Sequence, residues 1–444
     1  MFSKASDSSH YEGKICLAPM VRAGRTSLRV LSLEYGADLV YTEEIVDKRL
    51  VAAKRVENKI TNTIDFVNDA ELVLRIAPEE KDKIVLQIGT NSPERSVEVI
   101  KRLQDDISSI DINMGCPKPF SISGGMGAAL LSTPDIASEI LKSLVAVSKV
   151  PVSAKIRVLN TREETLEFAK MVQRCGVAAI GVHGRRRDER PNDKNRIDEI
   201  KEVVDYLDIP VLANGNSSVI KEFKDIGEFK EKTGASGVLL GRMALTNPSI
   251  FRKEGLYDMT TEIVNYLEKS VMYDEPFTQS KYVVSRILGS QLEFDPRGKA
   301  TSEAGSVLGM CKAWNIEDIY YHWKKIHKER DSGNRKRKLD EEENSEIKFH
   351  DITFPMKRLR SCKSELTPKC VINRYCLKNG LPSPSFCTWK RDSDGRWEAT
   401  IEINNVKHQS RVAQMNKRMA EQVSALCAII ALGIRDELEG EWEE

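Results

Sequence analysis

"IVLQIGTNSPERSVEVIKRLQDDISSIDINMGC", residues 84–116, holds one full structural period of this chain. Ile84–Gly89 is apolar and too short for a helix, so it reads as a buried strand. Ser92 and Pro93 then open a segment with Val97, Ile100 and Leu103 three residues apart, a helical spacing behind a capping residue. A second short apolar run, "IDINMGC" (110–116), ends in a cysteine. Strand, helix, strand implies parallel strands joined by a helical crossover.

The rhythm recurs on both sides. Strands are expected at "ICLAPM" (15–20), "DLVYTEEI" (38–45), "VSAKIRV" (152–158), "AIGVHGR" (179–185), "VLANGN" (211–216) and "GVLLGR" (237–242). Eight such units in roughly 230 residues predict a closed α/β TIM (β/α)8 barrel, placed here at residues 12–250. A doubly wound open sheet would carry G-x-G-x-x-G after its first strand, where this chain has "APMVRAG". Residues 251–330 lose the strand rhythm and read as a helical domain. The highly charged 331–355 reads as a linker; its run Arg335–Lys338 resembles a nuclear signal, and a solvated tether is the plainer reading. Beyond it, 356–436 reads as an independent α-β-β-β-α module with a basic N-terminal extension. Its elements are the helix "TPKCVINRYCLKNGL", strands around "SFCTWKRD" and "RWEATIEINN" joined by an "SDG" turn, a third strand near 406–411, and a last helix "AQMNKRMAEQVSALCAIIAL".

Composition bounds the class. Of 444 residues 40% are hydrophobic and 30% charged, with a net charge of +1, which suits a globular protein with at most local basic patches. Nine cysteines include no C-x-x-C pair, which argues against a zinc ribbon and for a reducing compartment. No run approaches the ~20 apolar residues of a membrane span. The expectation is a cytoplasmic monomer with no membrane and no metal, and with a nuclear fraction if the basic run is read as a signal.

In this fold the chemistry lies at the C-terminal ends of the strands. Those ends hold Pro19-Met20, Glu43, Gln87, Asn113 with Cys116, Lys155 with Arg157, His183, Asn214-Gly215-Asn216 and Gly241-Arg242. The last two are glycine-containing and suit a phosphate, to which Arg242 adds a charge-assisted bond. A flavin needs an apolar shelf, an amide partner and a cation near N1, for which Met20, Gln87 and Lys155 have the right chemistry. On its residue type alone Cys116 could be a ligand, a nucleophile, an acid or a small residue in a turn. Gly124, Gly125 and Gly127 are expected to let its loop move or approach RNA.

Read together, "LAPMV", "VLQIGT", "DINMGCP…GGMGAALL", "SAKIRV", "VHGRRRDERP", "LANGN" and "GRMALTNPSIF" resemble the tRNA-dihydrouridine synthases, over roughly residues 15–251. Within that family the chain is most similar to the eukaryotic branch that acts on uridine 20 of the D-loop and carries a C-terminal double-stranded-RNA-binding domain. The resemblance implies FMN held by Pro19, Met20, Gln87, Lys155, His183, Asn214, Gly215, Asn216, Gly241 and Arg242, with NADPH or NADH as reductant. It implies Cys116 as the general acid that protonates uracil C5, with Asn113, Arg157 and Arg185 on the substrate. tRNA is the implied partner, gripped further by Lys357, Arg358, Arg360, Lys369, Lys417 and Arg418. Two alternatives of other classes are a non-catalytic tRNA chaperone on a flavin-enzyme scaffold and an oxidoreductase for a free pyrimidine. Glu421 and Gln422 stand where the RNA-binding family continues its basic cluster, and "SRVAQ" replaces a glycine-rich approach to the last helix, so modest duplex affinity is expected.

Overall fold

The computed structural model describes residues 4–68, 71–189, 193–342, 347–350, 352, 367–391 and 396–434, with side chains for all of these except 332–342. The chain divides into two compact units, Met1–Asn68 with Leu72–Asp331, and Ser332–Glu444 with Asp69–Glu71.

The first unit is built on eight parallel strands: β1 (Ile15–Leu17), β2 (Leu39–Tyr41), β3 (Ile84–Gly89), β4 (Ser109–Met114), β5 (Val152–Arg157), β6 (Ala179–His183), β7 (Val211–Asn214) and β8 (Gly237–Leu240). Each pairs with its neighbours, and β8 returns to β1, so the sheet closes. All eight lie where the sequence placed them. β3 and β4 are buried along their whole length, as strands with a filled interior on one side and helices on the other must be. The helix Pro93–Leu103 is capped by the Ser92 side chain and turns Ser96, Val99, Ile100 and Leu103 inward.

The connection from β2 to β3 departs from this scheme. A short strand Ile45–Val46 and a helix Asp47–Ala52 lead into a separate three-stranded sheet of Lys54–Asn58, Thr63–Asn68 and Glu71–Ile76. It is tied by a two-pronged Arg75–Asp65 ion pair at 2.6 and 2.9 Å. The barrel pattern hid this sheet, because its strands pair with one another and keep no crossover period.

Helices Met259–Met272 and Phe277–Leu288, and the short helices from Gln291 to Ala313, belong to the same compact unit as the barrel. Ile263, Leu267, Val283 and Val284 join the barrel's hydrophobic core. Glu275 pairs with Arg25 and accepts from the Ser27 hydroxyl at 3.1 Å, fixing this layer beside the mouth of the barrel.

The linker expected at 331–355 is corrected in two places. The helix that starts at Glu317 continues to Glu342, and Ile347–His350 is a strand. The charged stretch is rich in strong helix formers, which suits a continued helix.

In the second unit the expected helix, three antiparallel strands and helix are present: Pro368–Lys378, Ser385–Lys390, Trp397–Ile403, Val406–Ser410 and Lys417–Ala431. Ile347–His350 adds a fourth strand, parallel to Val406–Ser410. Asn404 and Asn405, both at positive φ, make the two-residue turn between the last two antiparallel strands. The "SDG" turn lies outside the described residues. Among the described residues no helix is long and apolar enough to cross a membrane.

Candidate active site

Register brings the strand ends together. Asn113 on β4 sits beside Lys155 on β5, and Arg157 beside His183 on β6, which in turn neighbours Asn214 on β7. The result is a cavity of about 570 Å³ at the C-terminal mouth of the barrel. Twelve of the residues picked out by sequence line it: Pro19, Met20, Gln87, Asn113, Cys116, Lys155, Arg157, His183, Asn214, Gly215, Gly241 and Arg242.

A buried polar chain fixes the floor. Tyr11 donates to Ser153 (3.1 Å), Ser153 to Asp111 (2.7 Å), Gln87 to the other Asp111 oxygen (2.8 Å), and Asn113 to Gln87 Oε1 (2.8 Å). Asn113 Oδ1 then accepts the backbone N–H groups of Gly115 and Cys116, at 3.0 and 2.8 Å. One strand-end asparagine therefore sets where the cysteine loop begins. Burial pushes the Asp111 carboxyl up to about 6.

Lys155 has room because Gly181 faces it; a Cβ there would lie 3.2 Å from Lys155 Cγ. Desolvation, then the Arg157 charge, pushes the Lys155 ammonium down to about 8, so it remains largely a cation at neutral pH. Desolvation and the cations of Lys155, Arg157, Arg185 and Arg242 hold His183 well below the usual imidazole range, which makes it a neutral hydrogen-bonding group. The Cys116 thiol is half-buried; burial first and the facing Glu44 carboxyl second push it up to about 12. Such a thiol is a poor nucleophile at pH 7 and stays a proton donor.

Four expectations need correction. Asn216 does not line the cavity: Gly215 at φ +116 turns the chain, and Asn216 is buried with its carbonyl accepting from Val219 and Ile220. Arg185 is also buried, and it bonds the Asp193 carbonyl (2.7 Å) and lies 3.2 Å from His183 Nε2, so it orients the histidine from outside the lining. The glycines of the cysteine loop are packed rather than loose. A Cβ on Gly127 would overlap the Ser121 hydroxyl and lie 2.8 Å from the Cys116 carbonyl oxygen, which accepts from Ala128 N–H at 3.0 Å. Arg157, expected on the substrate, lines the cavity but commits its guanidinium to the Gly115 and Arg186 carbonyls at 2.7 and 2.9 Å.

The lining fits a planar aromatic cofactor that carries a phosphate. Met20 and Leu245 are apolar, and the space above Gly241 is open to 3.8 Å. Arg242 supplies a cation beside the tight turn at Gly215. Among the described residues no group of three His, Cys, Asp or Glu side chains could hold a metal ion.

Comparison with known sequences settles what kind of barrel this is. The family described as Dihydrouridine synthase (Dus) matches residues 16–269, more than half of the chain. The chain belongs to the dihydrouridine synthase family. Residues 368–432 match a second family, the Double-stranded RNA binding motif. A tRNA-dihydrouridine(20) synthase [NAD(P)+] of Schizosaccharomyces pombe is 37% identical over 320 residues, covering 69% of this chain and 66% of its own length. Its namesake from Saccharomyces cerevisiae is 34% identical over 321 residues, covering 67% of this chain and 84% of its own length. A probable tRNA-dihydrouridine synthase of Aquifex aeolicus is 31% identical over 249 residues, 54% of this chain and 72% of its own length.

Within this member of the family the barrel carries side chains that the sequence did not single out. Glu43 was picked at the end of β2, yet its carboxylate turns to Arg22 N–H (2.9 Å) and Arg25 (3.3 Å), and the next residue, Glu44, faces the cavity. Alternation along an extended segment could have signalled this. Ser121 and Asn195 were missed as well. The Asn195 amide lies against Gly184 and Gly215, buried and, among the described residues, with neither polar atom paired. In the RNA-binding module Lys417 and Arg418 are exposed on the first turn of the last helix, behind the Asn416 cap. Lys369 is tied to Glu421 at 2.6 Å and lies over the Phe386 ring. Lys357, Arg358 and Arg360 lie outside the described residues.

Proposed function

We propose that this chain reduces a uridine of the tRNA D-loop, at position 20, to dihydrouridine, with FMN in the barrel mouth and NADPH or NADH as reductant. The observation that carries this reading is the convergence of Asn113, Cys116, Lys155 and His183 on one cavity. Its tRNA and position-20 terms are supported by the family match, by the names of the two yeast relatives and by the RNA-binding module.

Bound and reduced, FMN would supply the hydride that adds to uracil C6, held by Met20, Gln87, Lys155, Asn214, Gly215, Gly241 and Arg242. The residues of the chain do the rest. A uracil stacked in the tRNA elbow must turn out to enter the mouth, where Arg22 and Arg286 line the rim with positive charge. Addition at C6 builds negative charge over C5, C4 and O4. Lys155 is the cation that stabilises this charge, and neutral His183 offers a hydrogen bond without competing for the proton. Cys116 then gives its Sγ proton to C5. Asn113, through its bonds to the Gly115 and Cys116 amides, fixes where that thiol stands.

Cys116→Ala tests the acid. Flavin content and reduction by NADPH are expected to match the parent, while dihydrouridine formation in tRNA falls by at least about a hundredfold, the usual worth of a positioned acid. A variant that makes dihydrouridine at the parent rate overturns the assignment.

A further inference from the structure

Each turnover of this reaction takes up one proton besides the hydride, so the thiol that protonates C5 must be recharged. The structure sets a buried acid against it. Glu44 follows β2 and reaches the cavity wall that carries Cys116. Its Oε1 accepts from the Ser121 hydroxyl at 2.7 Å, while its Oε2 is buried and, among the described residues, accepts no hydrogen bond. An ionised carboxylate with one bare, desolvated oxygen is costly, and a proton on that oxygen removes the cost.

Glycines make room for the arrangement. A Cβ on Gly89 would come 2.6 Å from Glu44 Oε1, and one on Gly127 would lie 3.1 Å from Cys116 Cβ and overlap the Ser121 hydroxyl. Cysteine, serine and glutamate are thus packed around positions where side chains are missing.

We propose that Glu44 is the positioning residue that returns a proton to Cys116 after each turnover. This rests on the reading of Cys116 as the acid. When Cys116 has given its proton to C5 it is a thiolate. Glu44, as the carboxylic acid, passes its proton to that sulfur, so the thiolate becomes thiol and the acid becomes carboxylate. Water in the emptied cavity then restores the carboxylic acid. No electrons move, and the solvent proton required by the overall reaction is accounted for. Burial raises both groups, and a carboxyl begins as a stronger acid than a thiol, so the proton passes from Glu44 to the thiolate. Ser121 holds Oε1 so that Oε2 is the oxygen that carries the proton.

The test is Glu44→Gln in the full chain, which keeps an acceptor for Ser121 but cannot ionise. Enzyme pre-reduced with NADPH is mixed with unmodified tRNA, and dihydrouridine is counted in the first turnover and at steady state. The first turnover is expected within about twofold of the parent, since the thiol starts protonated, and the steady state at least about tenfold slower, a burst of one product per site. Imidazole buffer, a small external acid, is expected to restore the steady state. Equal losses in both phases, or a steady state at the parent rate, overturn the relay. Cys116→Ala runs alongside: product at the parent rate there overturns the acid itself, whereas a dead Cys116→Ala beside a Glu44→Gln without a burst overturns only the relay. Ser121→Ala leaves the carboxylate in place, and should slow the steady state about threefold with the first turnover intact; no change in either phase counts against the relay.

Discussion

Gly127→Ala separates a packed cysteine loop from a hinged one. Gly127 sits at φ +59, where an L side chain costs roughly 1–2 kcal/mol. The new methyl would meet the Cys116 carbonyl oxygen at 2.8 Å and the Ser121 hydroxyl closer still. One of them must move, and the bond from Ala128 N–H to that carbonyl, 3.0 Å now, is the first lost, at about 1 kcal/mol. Together these lower the free energy of opening the loop by about 2–3 kcal/mol, so hydrogen exchange in the peptide spanning residues 117–131 should quicken about 30- to 150-fold. Gly234→Ala is the control, because Gly234 also has a positive φ (+67) but its Cβ would meet only Val204, at 3.6 Å. Exchange by mass spectrometry on both variants, with dihydrouridine formation measured in parallel, decides the matter. If Gly127→Ala exchanges and turns over like the parent, the loop is a free hinge and the packing argument is wrong.

Two further outcomes follow from charges. Lys155 titrates near 8 in the folded chain and near 10.5 when unfolded, so between those values the unfolded chain holds a proton that the folded chain has released. Parent stability therefore gains from this group as pH rises through that window. Lys155→Met should melt higher than the parent at pH 7, with the advantage shrinking towards about pH 10; a constant difference across that range refutes the burial cost. Alanine at Lys417 and Arg418 together should weaken tRNA binding and flatten its salt dependence by about two units of slope, with a smaller effect for Lys369→Ala because Glu421 already holds that ammonium. An unchanged slope would remove both residues from the RNA interface.

Much of this protein was legible before folding was considered. The strand positions follow from short apolar runs, and the helices between them from helical spacing behind caps such as Ser92 and Thr161, because these signals are local. Twelve cavity residues were named because a parallel barrel gathers its strand ends on one face. What sequence could not give were relations across the chain. Glu44 rather than Glu43 faces Cys116 because of how the segment after β2 is rotated. Arg185 is spent on Asp193 and stands behind His183 instead of inside the cavity. Gly127 is a packing residue because Ser121 and the Cys116 carbonyl close on it. The sheet at 54–76 escaped notice because its strands pair with each other outside the barrel's period. Local propensity and periodicity wrote the barrel into the sequence. The order of side chains around the thiol was decided by close packing between segments that are far apart in the chain, and only tertiary structure carries that.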